Sequence, residues 1–167
     1  GETVQVAANG NDITSEIIPD EEFASPMSGK IISLDNVEDK TFSSRSMGDG
    51  FAIIPAGKDV VAPLSGKMTL VYPTGHAYGI RTADGKEILL HIGMDTVELN
   101  GEGFQVFVSQ GQQVHQGDLL CRIDPEIIQA KGKSLVSPVI FTSGETIEIA
   151  NPDTDVKAMQ ENIITIR

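Results

Sequence analysis

The chain has 167 residues, of which 40% are apolar, which is enough for one domain with a sizeable core. Tryptophan is absent, while glycine and proline number 17 and 8, a composition typical of short strands joined by tight turns. The formal net charge of −12 argues against nucleic acid or an anionic membrane as the main partner. It allows a basic protein partner, and it is also explained by solubility alone.

An internal repeat follows a polar start. Residues 1–21 are acidic with little periodicity, which predicts a flexible tail or linker ahead of a domain over residues 22–167. The sequence ASPMSGK at 24–30 returns as APLSGK at 62–67, with a weaker echo in VSP at 136–138. Each copy has a proline, a tight turn and a run of strand-forming residues. This repetition predicts an all-β fold, an antiparallel β-sandwich or flattened barrel with internal symmetry.

Residues 74–93 predict a β-hairpin that is central to the domain. Asp84-Gly85 fits a two-residue type I′ turn between runs of strand-forming residues. That turn sets a register in which Tyr78 lies opposite His91 and His76 lies opposite Gly93.

Side-chain alternation in this register separates the hairpin into two faces. Ile88, Leu90 and Ile92 form an apolar face suited to a core, while Leu89 and Tyr78 share the other face with both histidines. Each histidine alone could equally well be part of a functional site or an ordinary half-buried strand residue. Two histidines within reach on one face favour a functional site.

The remaining segments support a mainly β domain. Residues 47–55 predict a strand that ends at proline, and Asn100-Gly101 predicts a turn. Cys121, the single cysteine, lies in an apolar run and is interpreted as a buried core thiol of a protein in a reducing compartment. A short helix starts at Pro125, is capped by Asp124 and ends at Gly132, and two final strands cover 146–149 and 163–166.

Several kinds of chemistry fit a histidine pair. A zinc site needs at least a third protein ligand, for which Asp95 is a candidate. A zinc peptidase would need a His-x-His pair that the sequence at His91 lacks, and a biotinyl or lipoyl carrier would use Lys86 at the hairpin tip. In a fourth alternative one neutral imidazole is a nucleophile, while a second one, fixed by a hydroxyl such as that of Thr74, stabilises a transferred phosphoryl group.

The longest motifs carry a family resemblance. LHIGMDTVELNGEGF at 90–104, preceded by TGHAY at 74–78, resembles the glucose-type enzyme IIA of the bacterial phosphoenolpyruvate-dependent sugar phosphotransferase system. The resemblance extends over residues 22–167. It implies a small antiparallel β-sandwich with one or two short helices, in the cytoplasm or as a domain of a membrane-bound permease, without a cofactor or a metal.

Residue roles follow from this resemblance. It implies that His91 is phosphorylated through Nε2, that His76 stabilises the phosphoryl group, that Thr74 orients His76, and that the carbonyl of Gly93 holds the Nδ1 proton of His91. The implied partners are the histidine-containing phosphocarrier protein as donor and an enzyme IIB domain as acceptor. The alternative is a regulatory enzyme IIA-like domain, covalently linked to a sugar permease and controlled by histidine phosphorylation.

A docking surface around His91 is also expected. An apolar floor with an acidic rim suits brief contacts with a basic protein. Tyr78 and Leu89 share the histidine face, and the resemblance implies that the loops of Phe42, Met47 and Val97 lie near it and complete the floor. The rim is predicted to contain the acidic residues close to them in sequence, Asp39, Asp95 and Glu98.

Overall fold

A computed structural model describes residues 21–167, so the predicted linker over 1–21 lies outside the described residues except for Glu21. Thirteen strands are present in the described part of the chain: β1 Gly29–Ile32, β2 Asp49–Pro55, β3 Asp59–Val61, β4 Gly66–Val71, β5 Ala77–Arg81, β6 Glu87–His91, β7 Phe104–Val106, β8 Gln113–Val114, β9 Leu119–Ile123, β10 Ser137–Phe141, β11 Ile147–Ile149, β12 Thr154–Val156 and β13 Ile164–Ile166. Over these same residues, none of the helices has the length and apolarity needed to cross a membrane.

The strands form three antiparallel sheets. The largest has eight strands in the order β12-β1-β2-β10-β6-β5-β4-β8, beside a three-stranded sheet β3-β9-β7 and the pair β11-β13. Apolar residues from all three sheets meet in one main core. The predicted antiparallel β-sandwich is confirmed, and the final two predicted strands pair with each other.

The repeated Ser-Gly turns begin equivalent strands in the large sheet. β1 starts at Gly29 and β4 starts at Gly66. A β-carbon on Gly29 would lie 2.1 Å from the backbone oxygen of Ile54, and one on Gly66 would lie 2.4 Å from that of Arg81. Glycine therefore appears in both copies because the neighbouring strand passes too close for any side chain.

Helices are short, as the all-β prediction requires. The predicted helix is α2, Pro125–Ala130, in which the Asp124 carboxylate accepts a hydrogen bond from the Ile127 N–H. A second one-turn helix that the sequence pattern did not indicate is α1, Lys40–Ser43. Two 3-10 turns lie at Leu34–Asn36 and Thr96–Leu99.

The hairpin of β5 and β6 forms, but the predicted register is wrong by one residue. Ala77 lies opposite His91, and Tyr78 lies opposite Leu90. The connection is a three-residue loop, closed by a hydrogen bond from Thr82 N–H to Lys86 O and by Gly85 at φ +94°. The Thr82 hydroxyl explains the longer loop, because it accepts from the Lys86 N–H at 2.9 Å and donates to the Asp84 carboxylate at 2.5 Å.

The two faces of the large sheet carry different apolar clusters. Alternate residues of the central strands point into the main core, and the residues between them form a second group on the opposite face. We call this group the outer cluster: Ile32, Leu34, Val37, Phe42, Ala52 and Ile140, with Leu89, Met94 and Val136 packed against it. The segment containing α1 therefore covers the outer face of β1, β2, β10 and β6.

Candidate functional site

Two histidine rings meet at one end of the β5–β6 hairpin. His91 is the last residue of β6, and His76 is the residue just before β5. The ring centroids are 5.4 Å apart and the ring planes are inclined at 74°. The predicted proximity is confirmed, although the register used to predict it was wrong. Because His76 precedes the strand, strict strand alternation does not govern the direction of its side chain.

The His91 ring is held in one tautomer. Its Nδ1 lies 2.8 Å from the carbonyl oxygen of Gly93. Since a carbonyl oxygen only accepts hydrogen bonds, Nδ1 must carry the proton, which leaves the lone pair on Nε2. Burial lowers the pKa of His91, and the Gly93 carbonyl and the charges of Asp39 and Asp95 oppose that change. The ring is therefore neutral at pH 7.

The His76 side chain is more enclosed than that of His91. It is only 4% exposed, and its Nδ1 lies 3.0 Å from the hydroxyl oxygen of Thr74. The ring of Tyr72 meets it edge-on with centroids 4.7 Å apart. Burial, followed by the charge of His91, lowers the pKa of His76. Both imidazoles are thus neutral near pH 7, and protonation of either one disfavours protonation of the other.

Helix α1 brings an aromatic ring to His91. Asp39 caps this helix by accepting a hydrogen bond from the Thr41 N–H at 2.9 Å. The Phe42 ring, which belongs to the outer cluster, lies with its centroid 5.1 Å from that of His91. The outer cluster therefore supports the ring from the side opposite the main core.

The residues predicted for docking are not all at the surface. Met47 and Val97 are 38% and 47% exposed, Leu89 is half-buried in the outer cluster, and Phe42 is buried at 5% exposed. Tyr78 is a wrong prediction, because the observed register turns it into the main core, where it is fully buried. Tyr72 is 42% exposed and contributes an aromatic ring to this face beside His76.

The three residues predicted for the acidic rim differ in their surroundings. Asp95 is exposed and Asp39 is half-buried, and both influence the pKa of His91. Glu98 is exposed but forms an ion pair with Lys133. The negative charge nearest the histidines is therefore that of the two aspartates.

The zinc alternatives and the biotinyl or lipoyl alternative gain no support from the geometry. No group of three His, Cys, Asp or Glu side chains comes together as a metal site within residues 21–167, so Asp95 does not complete a zinc site with the histidines. The Lys86 ammonium, which a biotinyl or lipoyl carrier would use, is 2.6 Å from the Asp84 carboxylate at the hairpin tip.

Two buried residues near the histidines were missed by sequence reasoning. Ser137 and Thr96 are 0% and 1% exposed, and their hydroxyls bond to the backbone of Gly93 and Ile92. Ser137 lies 44 positions from Gly93, so no local pattern in the sequence could have indicated the contact.

Comparison with known proteins gives concordant matches. Residues 21–147 match the family model for the phosphoenolpyruvate-dependent sugar phosphotransferase system, EIIA 1. The glucose-specific EIIA component of Mycoplasma capricolum is 52% identical over 126 residues, covering 74% of this chain and 82% of that protein. The glucose-specific EIIA component of Halalkalibacterium halodurans is 40% identical over 152 residues, covering 89% and 88%.

Two further matches concern arrangement and fold. The glucosamine-specific EIICBA component of Bacillus subtilis is 49% identical over 124 residues, which are 74% of this chain but 20% of that protein. The solved structure of glucose permease IIA from Mycoplasma capricolum has a TM-score of 0.81 at 46% identity, covering 86% of this chain and 94% of the other.

Proposed function

Because this chain belongs to the EIIA 1 family of the phosphoenolpyruvate-dependent sugar phosphotransferase system, as a phosphocarrier in sugar uptake, we propose that His91 is the residue that carries the phosphoryl group. The observation that supports this assignment is the hydrogen bond from His91 Nδ1 to the Gly93 carbonyl. It leaves an unprotonated Nε2 as the nucleophile, with a second neutral imidazole beside it.

The transfer step needs only the groups at this site and a phosphorylated donor. The Nε2 lone pair of His91 forms the new N–P bond as the bond from phosphorus to the donor nitrogen breaks, and that electron pair stays on the donor. The imidazole becomes positively charged, and its Nδ1–H bond to the Gly93 carbonyl strengthens as the charge develops. We assign the donor role to the histidine-containing phosphocarrier protein and the acceptor role to an enzyme IIB domain.

His76 is proposed to stabilise the phosphoryl group in transit. If the Thr74 hydroxyl donates to Nδ1 of His76, then Nε2 carries the proton and can donate a hydrogen bond to a phosphoryl oxygen. Burial of the ring favours this neutral form over the imidazolium. Thr74 therefore orients the His76 ring, and the Gly93 carbonyl selects the tautomer of His91.

The first experiment tests the carrier residue. The protein is incubated with phosphoenolpyruvate and the upstream carriers, and its intact mass is measured under alkaline conditions. We expect one added phosphoryl group, stable to base and labile to acid, which is absent in His91→Ala. The third histidine provides the matched control: His115 is exposed, and His115→Ala should be phosphorylated normally. Phosphorylation that persists in His91→Ala would show that another residue is the carrier.

The second experiment separates acceptance from delivery. His76→Gln should still accept the phosphoryl group, because the His91 nucleophile is intact, but should pass it to an enzyme IIB domain on the order of a hundredfold more slowly. Transfer to IIB is followed in single-turnover mixing. If the variant delivers at the wild-type rate, His76 has no part in the transfer.

The docking face is proposed to be the surface formed by the exposed residues Met47, Val97 and Asp95 over the buried Phe42 and the half-buried Leu89. Val97 is nearly half exposed, so Val97→Asp should change stability by only about 0.5 kcal/mol. The same change would bury an unpaired charge in a docked complex, at a cost of several kcal/mol. Exchange with the phosphocarrier protein should therefore be blocked, whereas Val97→Ala should retain most of it.

The acidic part of this face is better tested at Asp95 than at Asp39. The Asp39 carboxylate caps α1, so replacing it would disturb the helix as well as the charge. Asp95 has φ +57° and makes no capping hydrogen bond with its side chain, and asparagine tolerates this conformation. Asp95→Asn should slow association at low salt, with the difference shrinking as salt rises. An equal rate for wild type and variant at low salt would place the docking face elsewhere.

A further inference from the structure

Three consecutive peptide groups after His91 are all held by hydrogen bonds. The N–H groups of Ile92, Gly93 and Met94 donate to the His76 carbonyl at 2.7 Å, the Ser137 hydroxyl at 3.1 Å and the Ser134 carbonyl at 3.0 Å. These hydrogen bonds connect the backbone after His91 to His76 on one side, and to Ser137 of strand β10 and Ser134 just before it on the other. The loop therefore has little freedom to change the direction of its carbonyl groups.

The middle peptide, between Ile92 and Gly93, is held on both sides by side chains. Its N–H donates to Ser137 Oγ, and its carbonyl accepts from Thr96 Oγ1 at 2.6 Å. Ser137 in turn donates its own proton to the Leu135 carbonyl at 2.7 Å. Both hydroxyls lie in the buried interior, where a displaced peptide group would find no water to bond.

The backbone conformation of Gly93 and its close contacts also restrict this loop. Its φ of +77° lies in the left-handed region that favours glycine. A β-carbon there would be 2.6 Å from Cγ2 of Thr96 and 2.8 Å from the carbonyl oxygen of Ser134. Thr96 therefore holds the Ile92–Gly93 peptide with its hydroxyl and packs against Gly93 with its methyl group. The Gly93 carbonyl belongs to the next peptide, whose N–H donates to the Ser134 carbonyl, and it points at His91 Nδ1.

We propose that Ser137 and Thr96 are positioning residues that fix the tautomer of His91 by orienting the Gly93 carbonyl. The proposal rests on the proposed role of His91 as the phosphoryl carrier. Neither hydroxyl bonds to the His91 ring, so each acts through the loop backbone. Most other partners of the loop are backbone groups, which substitution cannot remove, so these two hydroxyls are the positions where the arrangement can be tested.

The primary test reads the tautomer directly. Nitrogen-15 NMR of the unphosphorylated protein distinguishes a protonated Nδ1 from a protonated Nε2 on the His91 ring. In wild type we expect a single Nδ1–H form. In Ser137→Ala and Thr96→Val we expect a measurable share of the Nε2–H form. Releasing the Ile92–Gly93 peptide removes a restraint on the backbone of Gly93, and the carbonyl of that residue can then turn away from His91 Nδ1. Thr96→Ser, which keeps the hydroxyl, should restore the wild-type spectrum.

A second readout measures the consequence for transfer. Loss of one such buried hydrogen bond should slow phosphoryl acceptance by about tenfold, while the final extent of phosphorylation stays the same. The matched control is Ser25→Ala. Ser25 is equally buried and also donates to a carbonyl two residues away, that of Met27, so it should lose stability without changing the His91 spectrum or the rate.

The outcomes separate the two proposals. If the wild-type protein is not phosphorylated on His91, the carrier assignment fails, but the NMR comparison still decides the positioning role. If folded Ser137→Ala and Thr96→Val both retain a pure Nδ1–H form, the positioning role is overturned. Should Ser137→Ala fail to fold, Thr96→Val decides alone, because valine preserves the shape of threonine.

Discussion

Replacing Tyr78 with phenylalanine should stabilise the protein. Tyr78 is fully buried in the main core, and its hydroxyl oxygen has no hydrogen-bond partner in the described part of the chain. Burial, together with the nearby Cys121 thiol, raises the pKa of the phenol far above its ordinary value. The hydroxyl therefore loses its hydration on folding and gains in return only the neighbouring Cys121 thiol, which is a weak hydrogen-bonding group.

The expected gain follows from the environment of this one atom. An unpaired buried hydroxyl costs roughly 1–3 kcal/mol on folding. Its removal leaves a void of about one oxygen atom, and the lost contacts offset roughly 0.5–1 kcal/mol of that gain. Tyr78→Phe should thus raise the free energy of unfolding by about 1 kcal/mol, which for a domain of this size raises Tm by about 3 °C.

Urea unfolding and thermal melts of three proteins test this prediction. The chain has one other tyrosine, Tyr72, which is 42% exposed, so Tyr72→Phe is the control and should change stability negligibly. A loss of stability in Tyr78→Phe would show that the hydroxyl has a partner, and the reasoning would be refuted. Phosphoryl acceptance by Tyr78→Phe should be unchanged, since the residue lies on the face of the sheet opposite His91.

Three further predictions concern the site and the core. Burial lowers the pKa of His76, so as pH falls below about 6.5 this histidine takes up a proton in the unfolded chain before it does so in the folded protein. The free energy of unfolding of wild type should therefore fall between pH 7 and pH 5 more steeply than that of His76→Gln. Equal pH dependence of the two proteins in urea unfolding would contradict this. Gly93→Ala should lower the free energy of unfolding by about 3 kcal/mol or more, because of the left-handed backbone at this position and the overlap of the new β-carbon with Ser134. Gly85→Ala should lower it by only about 1–2 kcal/mol, because a β-carbon there meets nothing within 4 Å. Similar losses in the two variants would argue against overlap at Gly93. Burial raises the pKa of Cys121 to about 12, so iodoacetamide at pH 8 should alkylate it only in denaturant, and labelling of native protein at the unfolded rate would show that the core opens.

The features predicted correctly from sequence depend on local rules. The repeat predicts the starts of β1 and β4 correctly, because at Gly29 and at Gly66 the neighbouring strand leaves no room for a side chain. Ile88, Leu90 and Ile92 were placed in the core because alternation within one strand does not depend on how that strand is paired.

The features that were not predicted from sequence depend on contacts outside the local pattern. The hairpin register was wrong because Asp84-Gly85 fits a two-residue turn, whereas the Thr82 hydroxyl stabilises a loop of three. A shift of one residue was enough to move Tyr78 from the histidine face to the core. Ser137 could not be assigned to the site, because it reaches Gly93 only after β10 has paired with β6.

The division between the main core and the outer cluster has a consequence for local unfolding. The segment over 34–43 is held to the sheet chiefly by six buried outer-cluster residues, whereas the strands beneath it share a core of more than twenty. Its amides should accordingly exchange with solvent through partial opening, at lower free energy than those of β6 or β10. The Phe42 side of the histidine pocket can then adapt its shape to successive partners, while the peptide groups of the Gly93 loop keep the His91 ring in place from the other side.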